Sequence, residues 1–150
     1  MVKQNNPFLD FDVTRMVGEF RMPGVDTEAL LAAQRRNIEA LTKANQLAAE
    51  GVQAVMKRQA EILRQTMEEA SRMMGEIAKA GGPERQAVKQ AEVAKTAFET
   101  AIANMKEIAD LMTRANQDTF AVINKRVAES MEEVRAVMAK AAEGKTGPKT

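Results

Sequence analysis

Carboxylates are the one reactive group this sequence holds in quantity, with 21 Asp and Glu among 150 residues. Two adjacent pairs, Glu68-Glu69 and Glu132-Glu133, invite a check for general acid–base chemistry. Neighbouring positions on a helix point about 100° apart, so each pair diverges and shares no pocket that would raise one pKa. A carboxylate-bridged di-iron bundle needs Glu-x-x-His, and the chain has no His. It has no Cys either, which excludes disulfides, zinc or haem held by Cys or His, and nucleophiles activated by an imidazole. Gly81-Gly82 follows no strand pattern and is not a phosphate loop. The expectation is a protein with no catalytic residue, no metal and no cofactor.

The elements that carry these groups are helical. The chain has 26 Ala and 11 Met, with five Phe, no Trp and no Tyr, and Gln, Glu, Lys and Arg fill most of the rest. These residues are good helix formers, and Met supplies adaptable apolar surface. The formal net charge is +1 and the signs are interspersed throughout. There is no polybasic block for a phosphate backbone, so nucleic acid is not expected as a partner. Asp10, Asp12, Arg15 and Glu19 interrupt anything resembling a signal-peptide apolar core, and no apolar run is long enough for a transmembrane segment. The absence of Cys is compatible with a cytoplasmic location.

Glycine and proline divide the chain. Pro23-Gly24 closes an N-terminal segment, Gly81-Gly82-Pro83 interrupts the long middle, and Gly144 and Pro148 bound a short polar tail. The organisation expected is an amphipathic segment over 1–25, a helical hairpin over 26–143 with its break at 81–83, and a disordered tail over 144–150. Asp26 suits the N-cap of the first long helix, with Glu28 favourable to its dipole. Gly82 can cap the second helix, with Pro83 at its first position and Glu84 against the dipole. The fold class expected is all-α: two long amphipathic helices in an elongated hairpin or coiled-coil-like bundle, preceded by a short amphipathic helix.

Leu30, Leu41, Val52, Leu63 and Met74 stand eleven residues apart, with Ala33, Ala44, Val55, Thr66 and Ile77 as a companion row. Eleven residues in three turns favours a straight or slightly right-handed pairing. Asn37, Asn45 and Gln59 interrupt this apolar surface, and Gly51 and Gly75 sit mid-helix. The second helix begins as a heptad seam through Phe98, Ala101, Met105, Ile108, Met112, Ala115, Thr119 and Val122. Its phase then slips through Phe120 and Ile123 towards Val127, Met131, Val134 and Met138. Opposite charges at i, i+4, such as Arg64/Glu68 and Lys95/Glu99, read as solvated faces, each pair worth about 0.2–0.5 kcal/mol. Near the N-terminus, Leu9, Val13, Met16, Val17 and Phe20 follow one helical face, with Phe8 and Phe11 adding apolar bulk.

Specific polar runs then carry a family resemblance. Pro23-Gly24-Val25-Asp26 leads into Gln34-Arg35-Arg36-Asn37-Ile38-Glu39-Ala40-Leu41, followed by Ala44-Asn45-Gln46, Ala48-Ala49-Glu50-Gly51 and Arg58-Gln59-Ala60-Glu61-Ile62. This pattern resembles the phasins, proteins that coat polyhydroxyalkanoate storage granules in bacteria, and Asn6-Pro7-Phe8 is similar to the start of alphaproteobacterial members. The likeness is good over 6–75 and persists only as helical character over 84–143. It implies a non-catalytic protein on the granule surface in the cytoplasm, one that adsorbs to polyester, limits coalescence, sets granule size and number, and modulates the depolymerase or synthase acting there. DNA-binding phasins carry long Lys/Ala/Pro-rich tails, whereas only Lys145 and Lys149 follow Gly144 here.

The faces expected to meet polymer, or to hold a homo-oligomer together, carry Leu30, Leu41, Val52, Val55, Leu63, Met67, Phe98, Met105 and Met112. An N-terminal apolar anchor of Phe8, Phe11, Val17 and Phe20 would add to them. Polymer particles present apolar carbons and ester carbonyls, and apolar stripes with interspersed Asn, Gln and Thr suit both. The alternative is a coiled-coil scaffold or chaperone-like module that does not bind polymer. A third reading, a membrane-surface protein, fits the near-neutral charge poorly.

Overall fold

A computed structural model describes residues 26–145 of the chain. They form two long helices, α1 (Thr27–Lys79) and α2 (Pro83–Gly144), and no strand occurs among the described residues. The N-terminal amphipathic helix, with Phe8, Phe11, Val17 and Phe20, lies outside the described residues, as does the tail beyond Lys145. α2 continues one residue past the expected boundary, through Gly144.

The helix ends follow from local chemistry. The Asp26 carboxylate accepts hydrogen bonds from the backbone N–H of Glu28 (3.1 Å) and Ala29 (3.4 Å), while its carbonyl accepts the first helical bond, from Leu30. Ala80, Gly81 and Gly82 connect α1 to α2. Gly82 has φ +89°, a conformation that only glycine adopts at no steric cost. Its carbonyl accepts the N–H of Gln86, which starts α2 directly behind Pro83.

By packing, the chain divides into two units: Met1–Ala40 with Lys125–Thr150, and Leu41–Asn124. In the second unit the helices run antiparallel from the turn, and their contacts fall at matching distances from it. Glu76 meets Lys89, Arg58 meets Glu107, and Gly51 lies against Ala115.

The seam between the helices is built on eleven-residue spacing in both strands of the hairpin. On α2 its rows are Val93, Asn104, Ala115; Thr100, Leu111, Val122; and Ile108, Thr119, with the exposed Ala97 extending the last of them towards the turn. On α1 the expected companion row supplies Ala44 (3% exposed), Val55 and Ile77, joined by Gly51, Ile62, Met73, Leu47, Arg58 and Glu69. The heptad expected on α2 is therefore corrected. Ile108, Ala115, Thr119 and Val122 lie at the seam, but Phe98, Ala101, Met105 and Met112 are exposed, and Thr100, Asn104 and Leu111 stand where they were expected. No phase slip is needed, because an eleven-residue period keeps a straight helix in step with its neighbour. The largest apolar side chains do not mark this seam, which mixes Val, Leu, Ile and Met with Ala, Gly, Thr and Asn.

Small side chains allow close approach. A Cβ placed at Gly51 would overlap the Cβ of Ala115, so glycine is required there by its neighbour. Gly75 has nothing within 4 Å of such a Cβ and is simply tolerated.

Candidate functional site

Four of the exposed large apolar residues on α2 stand one position after a residue of the eleven-residue rows. Phe98, Met105, Met112 and Phe120 follow Ala97, Asn104, Leu111 and Thr119. On α1, Leu41, Val52, Met56, Leu63, Met67 and Met74 follow Ala40, Gly51, Val55, Ile62, Thr66 and Met73. One position is about 100° of rotation, in the same rotational sense along each chain. Antiparallel helices turn in opposite senses for one viewer, so equal displacements bring both stripes out on the same side of the pair. A groove in Leu41–Asn124 shows this directly: Met74 and Ile77 of α1 and Met105 and Met112 of α2 line it together.

Of the residues expected to meet polymer or partner, Leu30, Leu41, Val52, Leu63, Met67, Phe98, Met105 and Met112 are all at least half exposed. Val55 is half-buried at the seam. The groove brings Met105 and Met112 together. Leu41, Val52, Leu63, Met67 and Phe98 lie outside its lining, and Leu30 belongs to the other unit. The groove has a volume of about 710 Å³, and its walls are mostly Ala, Met, Ile and Val. Four neutral polar residues interrupt them: Gln59, Thr66, Thr100 and Asn104.

The other unit is joined by charge. Arg126, only 7% exposed, occupies the α2 seam. Its Nε donates to the Asn37 side-chain oxygen at 2.6 Å, and its Nη2 donates to the Ala33 carbonyl at 3.4 Å and to Glu133 at 2.8 Å. Nη1 donates to the other Glu133 oxygen at 3.0 Å and to Glu129 at 3.5 Å, so the Glu133 contact is bidentate. Arg36 closes the ring from α1, its Nε 2.9 Å from Glu133. The Arg126 hydrogen bonds, followed by Arg36, hold the Glu133 carboxyl down at about 2, against the opposing effect of desolvation. Hydrogen bonding to Glu133, opposed by desolvation, raises the Arg126 guanidinium in turn.

This cluster escaped the sequence reading, which scored arginine and glutamate as outward-facing. The signal was present: Arg126 extends the row Val93, Asn104, Ala115, and Glu133 extends Thr100, Leu111, Val122, both at eleven residues. In the second unit Arg58 plays a smaller part. Its Nη2 lies 2.7 Å from Glu107, and its buried Nε has no partner.

Among the described residues, no group of His, Cys, Asp and Glu has the geometry to hold a metal ion, and no helix is long and apolar enough to cross a membrane. What the geometry offers is amphipathic surface: an apolar side built jointly by two helices, with most ion pairs elsewhere. A protein-family model described as Phasin protein matches residues 28–127. The chain belongs to the phasin family. No curated protein and no solved structure matches it. Phasins are structural proteins associated with polyhydroxyalkanoate granules. The matched span takes in nearly all of α1, the turn, α2 as far as Val127 and the residues of the groove.

Proposed function

We propose that this phasin coats polyhydroxyalkanoate granules in the cytoplasm by laying the apolar side of its helix pair on the polyester. In doing so it limits coalescence, sets granule size and number, and modulates the synthase or depolymerase working at that surface. The observation that carries this reading is the separation of faces. The seam has its own apolar residues, such as Val55, Ile62, Met73, Ile108 and Leu111, beside Ala, Gly, Thr and Asn, while Leu41, Val52, Leu63, Phe98 and Met105 are left outside it. A helix pair that needed these residues for its own core would have turned them inward. Apolar area moved from water onto polymer contributes about 25 cal/mol per Å². In solution the same side is covered by further copies of the chain, which makes the protein a homo-oligomer that exchanges self-contact for polymer contact.

Leu41 and Val52 are 58% and 61% exposed, so more than half of their contribution is available to a surface. Replacing both by Asp is expected to weaken co-sedimentation with amorphous polyhydroxybutyrate particles by roughly tenfold per site, since about 1.4 kcal/mol is tenfold. Helicity by circular dichroism is retained. Unchanged co-sedimentation with intact helicity would sink the assignment of this face. Failure of the wild-type chain to bind particles would favour the scaffold reading, in which the stripe holds only an oligomer.

A further inference from the structure

Leu41, Val52, Leu63, Phe98 and Met105, offered to polymer and to further copies, all lie in Leu41–Asn124. The other unit has an apolar face of its own. Val127, Met131, Val134 and Met138 on α2 are each at least half exposed, and they follow Arg126, Ser130, Glu133 and Val137, which continue the eleven-residue rows. Leu30 of α1 is half exposed and follows Ala29, eleven residues before Ala40, so it comes out on the same side. Beside this face, Arg126 binds Asn37 and Glu133, and Arg36 binds Glu133, which fixes how the two helices stand. A face whose side chains keep fixed positions is preorganised for one partner, and bulk polymer does not require that.

One segment of this chain has the matching pattern. Val127, Met131, Val134 and Met138 are spaced 4, 3 and 4 residues apart, and so are Leu9, Val13, Met16 and Phe20, each 118 positions earlier. Two parallel helices in that register bring the four pairs level, alternating as the a and d layers of a two-stranded coiled coil. The same register sets Asp12, at a g position, against Arg135, at the e position of the next heptad, and the Arg135 side chain is exposed. The connection also fits. Arg36 meets Glu133 and Asn37 meets Arg126, so Thr27, nine or ten residues further out, begins α1 about level with residues 136–142 of α2, beside Met138. A chain that turns back from there at Pro23-Gly24 runs parallel to α2, as the register demands. Residues 21–25 reach at most about 17 Å, enough to cross to a neighbouring helix. Val52, Met56 and Leu63 on α1 have similar spacing, with Gln59 between them, but Leu63 lies about 54 Å along the helix from Thr27, beyond that reach.

We propose that residues 9–20 dock as a helix on this face of their own chain, parallel to α2 and in this register. The short connection gives the segment a roughly millimolar effective concentration, which the same segment of a second copy matches only in far more concentrated protein. The inference goes beyond the granule-coat reading and does not depend on it, because the contact belongs to the free chain. Of the four residues expected as an apolar anchor, docking takes up Phe20 and Val17 and leaves Phe8 and Phe11 off the docked face.

The test uses the absence of native Cys. In the full chain, Val13→Cys with Met131→Cys is expected to form an intrachain disulfide under mild oxidation, at a rate that dilution does not change. Val13→Cys with Met112→Cys is the control, since Met112 is as accessible but about 28 Å further along α2. It is expected to cross-link at least about tenfold more slowly. Equal rates for the two pairs would overturn the proposal. So would cross-linking only between copies, at a rate that rises with protein concentration. A second measurement needs no cysteine. Phe20→Asp sets a charge against Met138 and is expected to move the methyl NMR signals of Met131 and Met138 while those of Met105 and Met112 stay in place. If all four methyls move alike, or none moves, residues 9–20 do not lie on this face.

Discussion

The two units of this phasin solve one problem, joining α1 to α2, with opposite chemistry. In Leu41–Asn124 the joint is mostly apolar, with Gly51 against Ala115 and with Ala44 and Met73 buried towards its two ends. In the other unit the joint centres on Arg126, which reaches Asn37 and the Ala33 carbonyl across the seam and shares Glu133 with Arg36. A joint of small side chains is permissive, because its contacts are non-directional and one apolar surface can replace another. A guanidinium bound at several fixed points is selective, because each donor has one acceptor at one distance and slippage leaves a charge without partners. The second unit therefore joins its helices permissively, and the first fixes which residues of α1 and α2 face each other.

The largest effect that would break this contrast is expected from Arg126→Ala. Glu133 and Asn37 would lose their shared donor, and the joint has little apolar contact to fall back on. Amide hydrogen exchange over 26–40 and 125–145 is expected to accelerate by tenfold or more, while 41–124 keeps its protection. An equal acceleration in both units would mean that they unfold together and that the contrast is only chemical. The contrast is sharpened by Gly51→Ala. Helix propensity alone would favour alanine by about 1 kcal/mol, but overlap with Ala115 costs about 1–3 kcal/mol, so the net change is destabilising. Moving the methyl across, as Gly51→Ala with Ala115→Gly, should restore much of the loss. Thermal unfolding of the three variants measures it, and a stabilised Gly51→Ala would show that the helices have room to part.

Acid offers a milder way to address the charged joint. The Glu133 pKa is depressed from 4.5 to about 2 in the folded chain, so its contribution to stability is fully present above pH 4.5 and is lost as the pH falls from there towards 2. Over that interval exchange at 26–40 and 125–145 is expected to rise ahead of exchange at 41–124. Glu133→Gln removes the step, because glutamine does not titrate. Persistence of the step in that variant would assign it to another carboxylate.

These differences also mark what was legible beforehand. Punctuation was clear, because Asp26, Gly82 and Pro83 act within a few residues of themselves: a carboxylate caps its own helix, and a positive φ selects glycine. The eleven-residue period on α1 was visible for the same reason, and its companion row through Ala44, Val55 and Ile77 is the one that meets α2. The α2 seam was misread because large apolar residues are a good guide to a core only when the partner is in the same chain. Phe98, Met105 and Met112 are left exposed beside the seam. Arg126 was illegible in another sense. Its partner Asn37 is 89 positions away, and no local rule connects the two. The groove's polar lining was visible only as interruptions, such as Gln59, in a stripe that looked soft.

The smallest predicted effect separates close approach from tolerance. Gly75 lies in the same helix as Gly51, and a Cβ there meets nothing within 4 Å. Gly75→Ala is therefore expected to stabilise the chain by about 0.5–1 kcal/mol through helix propensity alone, opposite in sign to Gly51→Ala. The stabilisation should appear in thermal unfolding and leave polymer co-sedimentation unchanged, since an added methyl there adds little apolar area. If Gly75→Ala weakened adsorption while raising the melting temperature, α1 would have to bend at Gly75 on the polymer, and the permissive joint would extend to the helix itself. If the two glycine variants shifted stability alike, the close contact of Gly51 with Ala115 would not be what holds the second unit together.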